Sequence, residues 1–241
     1  MKQAVLLALG LLALGLVVCI SVSVCYFDKV STLVVDSQGD VPTEEDENFK
    51  YNTYIELNNY IVKDFAEILD EYFKDFGDGQ EFRFEKYFSF TLRSISKCDR
   101  QNLEKAFMES FRNPKFGAVD DSLQGLYPQM TELMNLFEET RSYYVLKKYA
   151  NNDDVKGREL HEKVLACYKV YSPLAEKYCN NLRAVAKERE KSSLRKFSNK
   201  GDLLRYHWLR VLIKAEDLQR NFENQKITSA NILDWNLPKF K

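Results

Sequence analysis

The chain has 241 residues, of which 45% are apolar, 29% are charged, nine are glycine and five are proline. This length suits one domain or two, and the formal net charge is only -1. Because sheets and long loops need more glycine and proline at their turns, the composition argues against a sheet-rich fold and favours long helices.

Residues 1–27, MKQAVLLALGLLALGLVVCISVSVCYF, predict a segment that directs export. Lys2 precedes an apolar run from Ala4 to Phe27, which is the order of a charged region and an apolar region in a signal sequence. We therefore expect an exported protein that stays at the membrane and faces the periplasm or the cell exterior.

Three fates of this leader stay open. The sequence LVVC at residues 16–19 resembles a lipobox, in which Cys19 would be acylated, although Val18 stands where Gly, Ala or Ser is usual. Ser21 and Ser23 fit the small-x-small pattern of ordinary signal cleavage. An uncleaved run from Ala4 to Phe27 is long enough to span a bilayer.

After the leader, residues 28–48 are acidic and lack helical periodicity, which predicts a tether. A helical bundle domain is expected over residues 49–223, followed by a C-terminal tail at 224–241.

The first half of the domain predicts three helices. Apolar residues recur with helical spacing from residue 51 to residue 73, interrupted by Asn58, and the glycines at 77–79 end this helix. The apolar residues within 81–97 fit in part the alternation of a strand and in part the period of a helix, and we favour a helix. Asp99 is expected to cap a short helix that ends near Pro114.

The second half predicts longer helices. A stripe runs from Asp120 to Tyr149, where Pro128 should kink the helix or mark its first turn. After Asn-Asn-Asp-Asp at 151–154, a heptad-spaced stripe runs from Leu160 towards Arg195. A last helix carries a stripe at 204, 208, 211, 215, 218 and 222. The fold predicted is all-α, an elongated antiparallel bundle of long helices behind an N-terminal membrane-targeting segment.

The stretch NNDDVKGRELH looks most like a site, because Asp153 and Asp154 precede His161, one of only two histidines. We interpret it as a helix junction in which an aspartate caps the next helix and Gly157 allows close packing. The alternative is a metal-dependent or acid/base hydrolase that uses these three residues with His207. No H-E-x-x-H, G-x-S-x-G or P-loop sequence occurs, so no cofactor is expected and an enzyme is the less favoured interpretation.

Cysteine and charge patterns favour structural interpretations too. Cys98, Cys167 and Cys179 lie in the body and are expected to be buried free thiols. Cys98 could pair with one of the other two only if the fold brings it near. Residues 28–80 carry 14 acids and 4 bases, whereas residues 141–220 carry 19 bases and 10 acids. The basic half could attract nucleic acid, anionic lipid or an acidic partner. Export argues against nucleic acid, and we favour a solvated face that balances the acidic first helix.

Three segments carry a resemblance to a known family: YNTYIELNNYI, then residues 142–182, then LLRYHWLRVLIKAEDL. The chain resembles the YiiG-like family of bacterial exported lipoproteins, whose shared domain has no assigned function. The matching positions in the central segment are Tyr143, Tyr144, Tyr149, Asp153, Asp154, Lys156, Gly157, Leu160, His161, Tyr171, Pro173 and Leu174. The resemblance implies a helical envelope protein and supplies no catalytic residues.

We therefore expect a membrane-tethered cell-envelope protein that serves as a binding or scaffolding module. Its expected partners are the membrane, through the N-terminal segment, and an envelope protein. The positions of His161 and His207 discriminate this interpretation from the hydrolase, because the hydrolase needs them close together.

Overall fold

The computed structural model describes residues 42–78, 82, 92–146 and 155–224, with side chains to Gln219. Of these described residues 86% are helical and none is in a strand, which confirms the all-α prediction for this part of the chain.

One nearly continuous rod opens the domain. It comprises α1 (Glu44–Asn59), a π-helical segment (Tyr60–Phe65) and α2 (Ala66–Phe76). Thr43 and Asp46 form a reciprocal capping box at its start, with Asp46 Oδ2 accepting from Thr43 N at 2.8 Å. The helix therefore begins before residue 49, and residues 44–48 belong to α1 and not to the predicted tether.

The short helix α3 spans Lys97–Glu109. Its N-cap is Ser96, and Asp99 is the third helical residue that completes the capping box, so the prediction that Asp99 is the cap was wrong. The helix also ends before Pro114. Residues 92–96 are not helical; most of the remaining segment predicted as a helix, residues 81–91, lies outside the described residues.

Three long helices complete the fold: α4 (Ala118–Val145), α5 (Val155–Asn199) and α6 (Leu203–Asn224). Pro128 lies inside α4 and does not mark its first turn. Between α5 and α6 the chain turns at Gly201, whose positive φ of 68° favours glycine. The predicted junction at residues 151–154 lies outside the described residues.

The helices α4 and α5 pack most extensively and run antiparallel. Asn181 Nδ2 donates to Ala118 O at 2.9 Å, and Lys156 Nζ lies 2.9 Å from Glu139 Oε1. The first contact joins the start of α4 to the second half of α5, and the second joins the end of α4 to the start of α5. This order confirms an antiparallel bundle.

The rod α1–α2 also lies antiparallel to α5. Tyr178 Oη donates to Tyr54 O at 2.9 Å, and the Tyr72 hydroxyl contacts His161 near the start of α5. Between them the Phe65 ring contacts Tyr171 edge-on, with centroids 5.5 Å apart. The core is thus a column of aromatic rings, which bury large apolar areas.

The last helix differs from the prediction. The expected stripe includes Leu204, Trp208 and Val211, yet their exposed fractions are 83%, 54% and 59%. The helix packs against α5, and its half-buried residues include Leu209, Leu212 and Ile213 instead. The predicted stripe is therefore exposed to the surroundings at these three residues.

The acidic start of α1 pairs with the basic end of α5. Arg189 Nη1 lies 2.8 Å from Glu47 Oε1, and Lys196 Nζ lies 3.8 Å from Glu44 Oε1. These ion pairs support the interpretation of the uneven charge as two helices that balance each other.

A buried ion pair joins α1 to the start of α4. Lys50 and Asp120 are 1% and 3% exposed, and Lys50 Nζ lies 3.0 Å from Asp120 Oδ1. Lys50 Nζ also donates to the carbonyl oxygens of Arg112 and Pro114, both at 2.9 Å. Asp120 accepts from the hydroxyl of Tyr54. Each charge is therefore surrounded by hydrogen-bond partners, as burial requires.

Replacing Asp120 by alanine should lower the free energy of unfolding by about 3–5 kcal/mol, because Lys50 would remain buried without its counter-charge. Urea denaturation followed by circular dichroism measures this loss. The control is Lys191→Ala, which removes the exposed ion pair with Glu188 and should change the stability little. Equal effects of the two substitutions would contradict the structural role of the buried pair.

Candidate functional site

His161 lies in the second turn of α5 and is buried, with 4% of its surface exposed. Its Nδ1 lies 2.9 Å from the Tyr72 hydroxyl oxygen, and the rings of Tyr72 and Phe82 lie against it. Its Nε2 is buried and has no hydrogen-bond partner within the described part of the chain. His161 is therefore a core histidine fixed by a tyrosine from α2.

Burial lowers the pKa of His161 below the ordinary value of 6.5, and the nearby Glu162 opposes the shift. The neutral imidazole is thus favoured in the folded protein, because little water reaches the ring to solvate a charge.

His207 lies on the exposed side of α6, at the other end of the molecule. From His161 the helix α5 carries the chain about 57 Å to Asn199, and α6 returns it by only about 6 Å. The two histidines therefore lie roughly 50 Å apart. Asp153 and Asp154 fall outside the described residues, and the described ranges contain no cluster of His, Cys, Asp and Glu suited to a metal ion.

A groove that the sequence did not reveal lies between the π-helical segment, α2 and α5. Apolar groups form most of its lining, namely Ile61, Val62, Ala66, Leu69, Tyr168, Tyr171, Ala175 and Cys179. It encloses about 490 Å³ when the open solvent at its mouth is included.

Three polar residues stand among these apolar groups: Asp70, Ser172 and Glu176. Partial burial raises the pKa of Asp70 above its usual range, so its ionised form lacks the solvation it would have in water. A positively charged group placed beside Asp70 would restore that stabilisation. The groove is therefore suited to an apolar ligand that carries a positive charge.

The groove is poorly suited to nucleophilic chemistry. Burial raises the pKa of Cys179 to about 12, so the thiol stays protonated at neutral pH, whereas the thiolate is the nucleophile. Tyr171 is buried too, and burial raises its pKa well above the ordinary value. The arrangement favours binding over covalent catalysis.

One sequence feature points towards this region. Asn58 interrupts the apolar stripe just before the π-helical segment, and the structure buries it completely. Both of its amide atoms lack a hydrogen-bond partner among the described residues. Buried unpaired polar groups are costly, and π-helical turns occur often at functional sites.

The body cysteines are free, since Cys98, Cys167 and Cys179 form no disulfide within the described ranges. Cys167 and Cys179 are buried as predicted, whereas Cys98 is exposed, so the prediction of a buried thiol was wrong there. Cys98 lies at the second position of α3, outside the apolar face of that helix.

The fold and the groove define an all-α antiparallel bundle with an apolar surface site. A family model described as a protein of unknown function (DUF3829) matches residues 45–241, and the chain belongs to this family. No curated protein and no solved structure is significantly similar to the chain. The narrower resemblance to YiiG-like lipoproteins stays a prediction.

The leader with its candidate lipid-anchor residue Cys19 lies outside the described residues. Among the helices in the described ranges, none is both long enough and apolar enough to cross a membrane.

The stability of the domain should depend on His161 below pH 6.5. There the unfolded chain binds a proton that the folded chain, with its lowered His161 pKa, does not yet bind. The free energy of unfolding should therefore decrease as the pH is lowered, by up to about 1.4 kcal/mol per pH unit, until the pKa of the folded state is reached.

Urea titrations at several pH values measure this slope in the parent, in His161→Gln and in the exposed control His207→Gln. The His161 variant should lose part of the slope, and the His207 variant should keep it. An unchanged slope in His161→Gln would show that the folded protein charges this ring as easily as the unfolded chain does.

Proposed function

We propose that this chain is an exported cell-envelope protein, held at the membrane by residues 1–27, whose helical domain is a binding module. The leader composition supports the tether. The observation that carries the binding role is the groove between the π-helical segment and α5, which combines an apolar lining with two carboxylates.

The occupant we propose for the groove is a segment of an envelope protein that presents an aromatic side chain beside a lysine or arginine. The aromatic group would lie against Leu69, Tyr171 and Ala175, where contact with apolar surface stabilises it. The positive charge would lie beside Asp70 and Glu176. Aromatic residues and arginine are enriched among the residues that dominate binding in protein interfaces.

This placement also explains why the ligand needs both the aromatic group and the positive charge. An apolar ligand without charge would leave the partly desolvated Asp70 carboxylate unpaired, which costs free energy. A charged ligand without an apolar part would leave the groove wall in contact with water.

The tether predicts that the full chain sediments with the membranes of a bacterial host and that deletion of residues 1–27 lowers the sedimented fraction, because the apolar leader is the proposed anchor. The substitution Cys19→Ser then distinguishes acylation at Cys19 from the other two fates of the leader. It should abolish incorporation of labelled fatty acid if Cys19 is the acylated residue, whereas the control Cys25→Ser should not. A full chain that remains in the cytoplasmic fraction would contradict export.

The groove predicts selective binding of small probes by the full chain in lipid nanodiscs. We expect phenylbutylamine to bind more tightly than phenylbutanol, and phenylbutanoate to bind weakest, because the amine alone can pair with Asp70 and Glu176. Saturation-transfer NMR measures this order.

Matched variants locate the binding. Ser172→Phe fills the groove and should abolish binding of the amine, whereas Ala166→Phe adds the same ring on the exposed side of α5 and should not. Asp70→Asn combined with Glu176→Gln should remove the preference for the amine over the alcohol. Equal binding of all three probes, or binding that survives Ser172→Phe, would rule out this site.

A further inference from the structure

The outward side of α6 carries an apolar stripe with nothing described over it. Leu204, Trp208 and Val211 are spaced by four and three residues, so they lie on one face of the helix. All three are exposed, and Leu203 beside them is 63% exposed. Several large apolar side chains exposed together usually mark a surface that binds something.

Basic residues flank this stripe. Arg210 and Lys214 are exposed. At 100° per residue they lie about 100° and about 60° around the helix from Val211, on the flank away from Trp208. Arg205 lies on the other flank and pairs with Asp202 at 3.5 Å. An apolar stripe with a tryptophan, bordered by lysine and arginine, is typical of helices that lie in the plane of a membrane interface.

The position of α6 brings it to the end of the molecule where the leader arrives. Lys196 lies beside Glu44, the first residue of α1, and α6 begins a few residues later at Leu203. The segment between the leader and α1, residues 28–43, can span at most about 55 Å. A membrane that holds the leader therefore lies within reach of this end of the bundle.

We propose that the outward face of α6, formed by Leu204, Trp208, Val211, Arg210 and Lys214, lies on the surface of an anionic lipid bilayer. This inference rests on the proposed membrane tether, and it adds a second contact that orients the domain. The apolar residues insert at the level of the headgroups, and the bases contact lipid phosphates.

Charge favours lipid over the two protein occupants of this face. If a second copy packed here about a two-fold axis that passes near Val211, Arg210 and Lys214 would lie close to the same bases of the other copy, which repel. The chain's own residues 225–241 carry three lysines and one aspartate, so they complement a basic surface poorly. Anionic phosphates complement it directly.

The test uses the full chain with Trp235→Phe, which leaves Trp208 as the single tryptophan. The protein is reconstituted into vesicles of phosphatidylcholine alone or mixed with phosphatidylglycerol, each with or without brominated lipid. We expect bromine to quench Trp208 strongly in the phosphatidylglycerol vesicles and weakly in phosphatidylcholine alone.

Charge variants test the contact with phosphates. Arg210→Gln and Lys214→Gln should each lower the ratio of docked to undocked α6 by about fivefold, as expected for one base near an anionic surface. The control pair Lys63→Gln and Lys97→Gln removes two exposed lysines on other helices and should leave quenching unchanged. Leu204→Ser should weaken quenching without unfolding the domain, since Leu204 is exposed.

Each outcome bears on the proposal separately from the tether. Quenching that depends on phosphatidylglycerol and on Arg210 supports docking. If the chain co-sediments with vesicles while Trp208 emits as a water-exposed residue, the docking is overturned and the tether stands. Trp208 shielded without quenching by brominated lipid would assign the face to a second copy or to residues 225–241, and would also overturn docking. Failure to co-sediment would overturn both.

Discussion

The length of α5 is the constraint on which the rest of the molecule depends. It spans Val155–Asn199, about 68 Å of helix, whereas α4 has only 28 residues. Because Ala118 at the start of α4 contacts Asn181, the last part of α5 extends beyond α4. That part is covered instead by the acidic start of α1 and by α6. The bundle thus has one end with a core of aromatic rings and another end that ion pairs hold together.

The sequence predicted α5 well because two independent features agreed. Its apolar residues repeat at heptad spacing, and glycine follows where the helix ends, so neither feature needed knowledge of the neighbouring helices. The failure at α6 has a clear cause. Periodicity shows that Leu204, Trp208 and Val211 share a face, but it cannot show whether that face meets the bundle or the surroundings.

The same distinction between a local sequence pattern and the surroundings of a residue applies to the candidate sites. His161 attracted attention because histidine often serves in chemistry, yet its surroundings of Tyr72, Phe76 and Phe82 are those of a core residue. The groove was not predictable, because its walls come from segments about a hundred residues apart and each wall residue resembles a core residue. Only Asn58 and its unpaired amide hinted at the region, since a sequence that places a costly polar group in a core usually does so for a reason.

The proposed contact of α6 with lipid also bears on the orientation of the groove. From Ala175 in the groove to Lys196 beside Glu44, the helix α5 rises about 32 Å. Because α6 turns back along α5 from this end, a bilayer under the outward face of α6 would run roughly parallel to α5. This distance would therefore separate the groove from the start of α6 along the membrane surface. The charge of the groove is the property that distinguishes its possible partners. Asp70 and Glu176 repel anionic headgroups and attract the basic segments of a partner, so charge supports lipid as the proposed contact of α6 and protein as the proposed occupant of the groove.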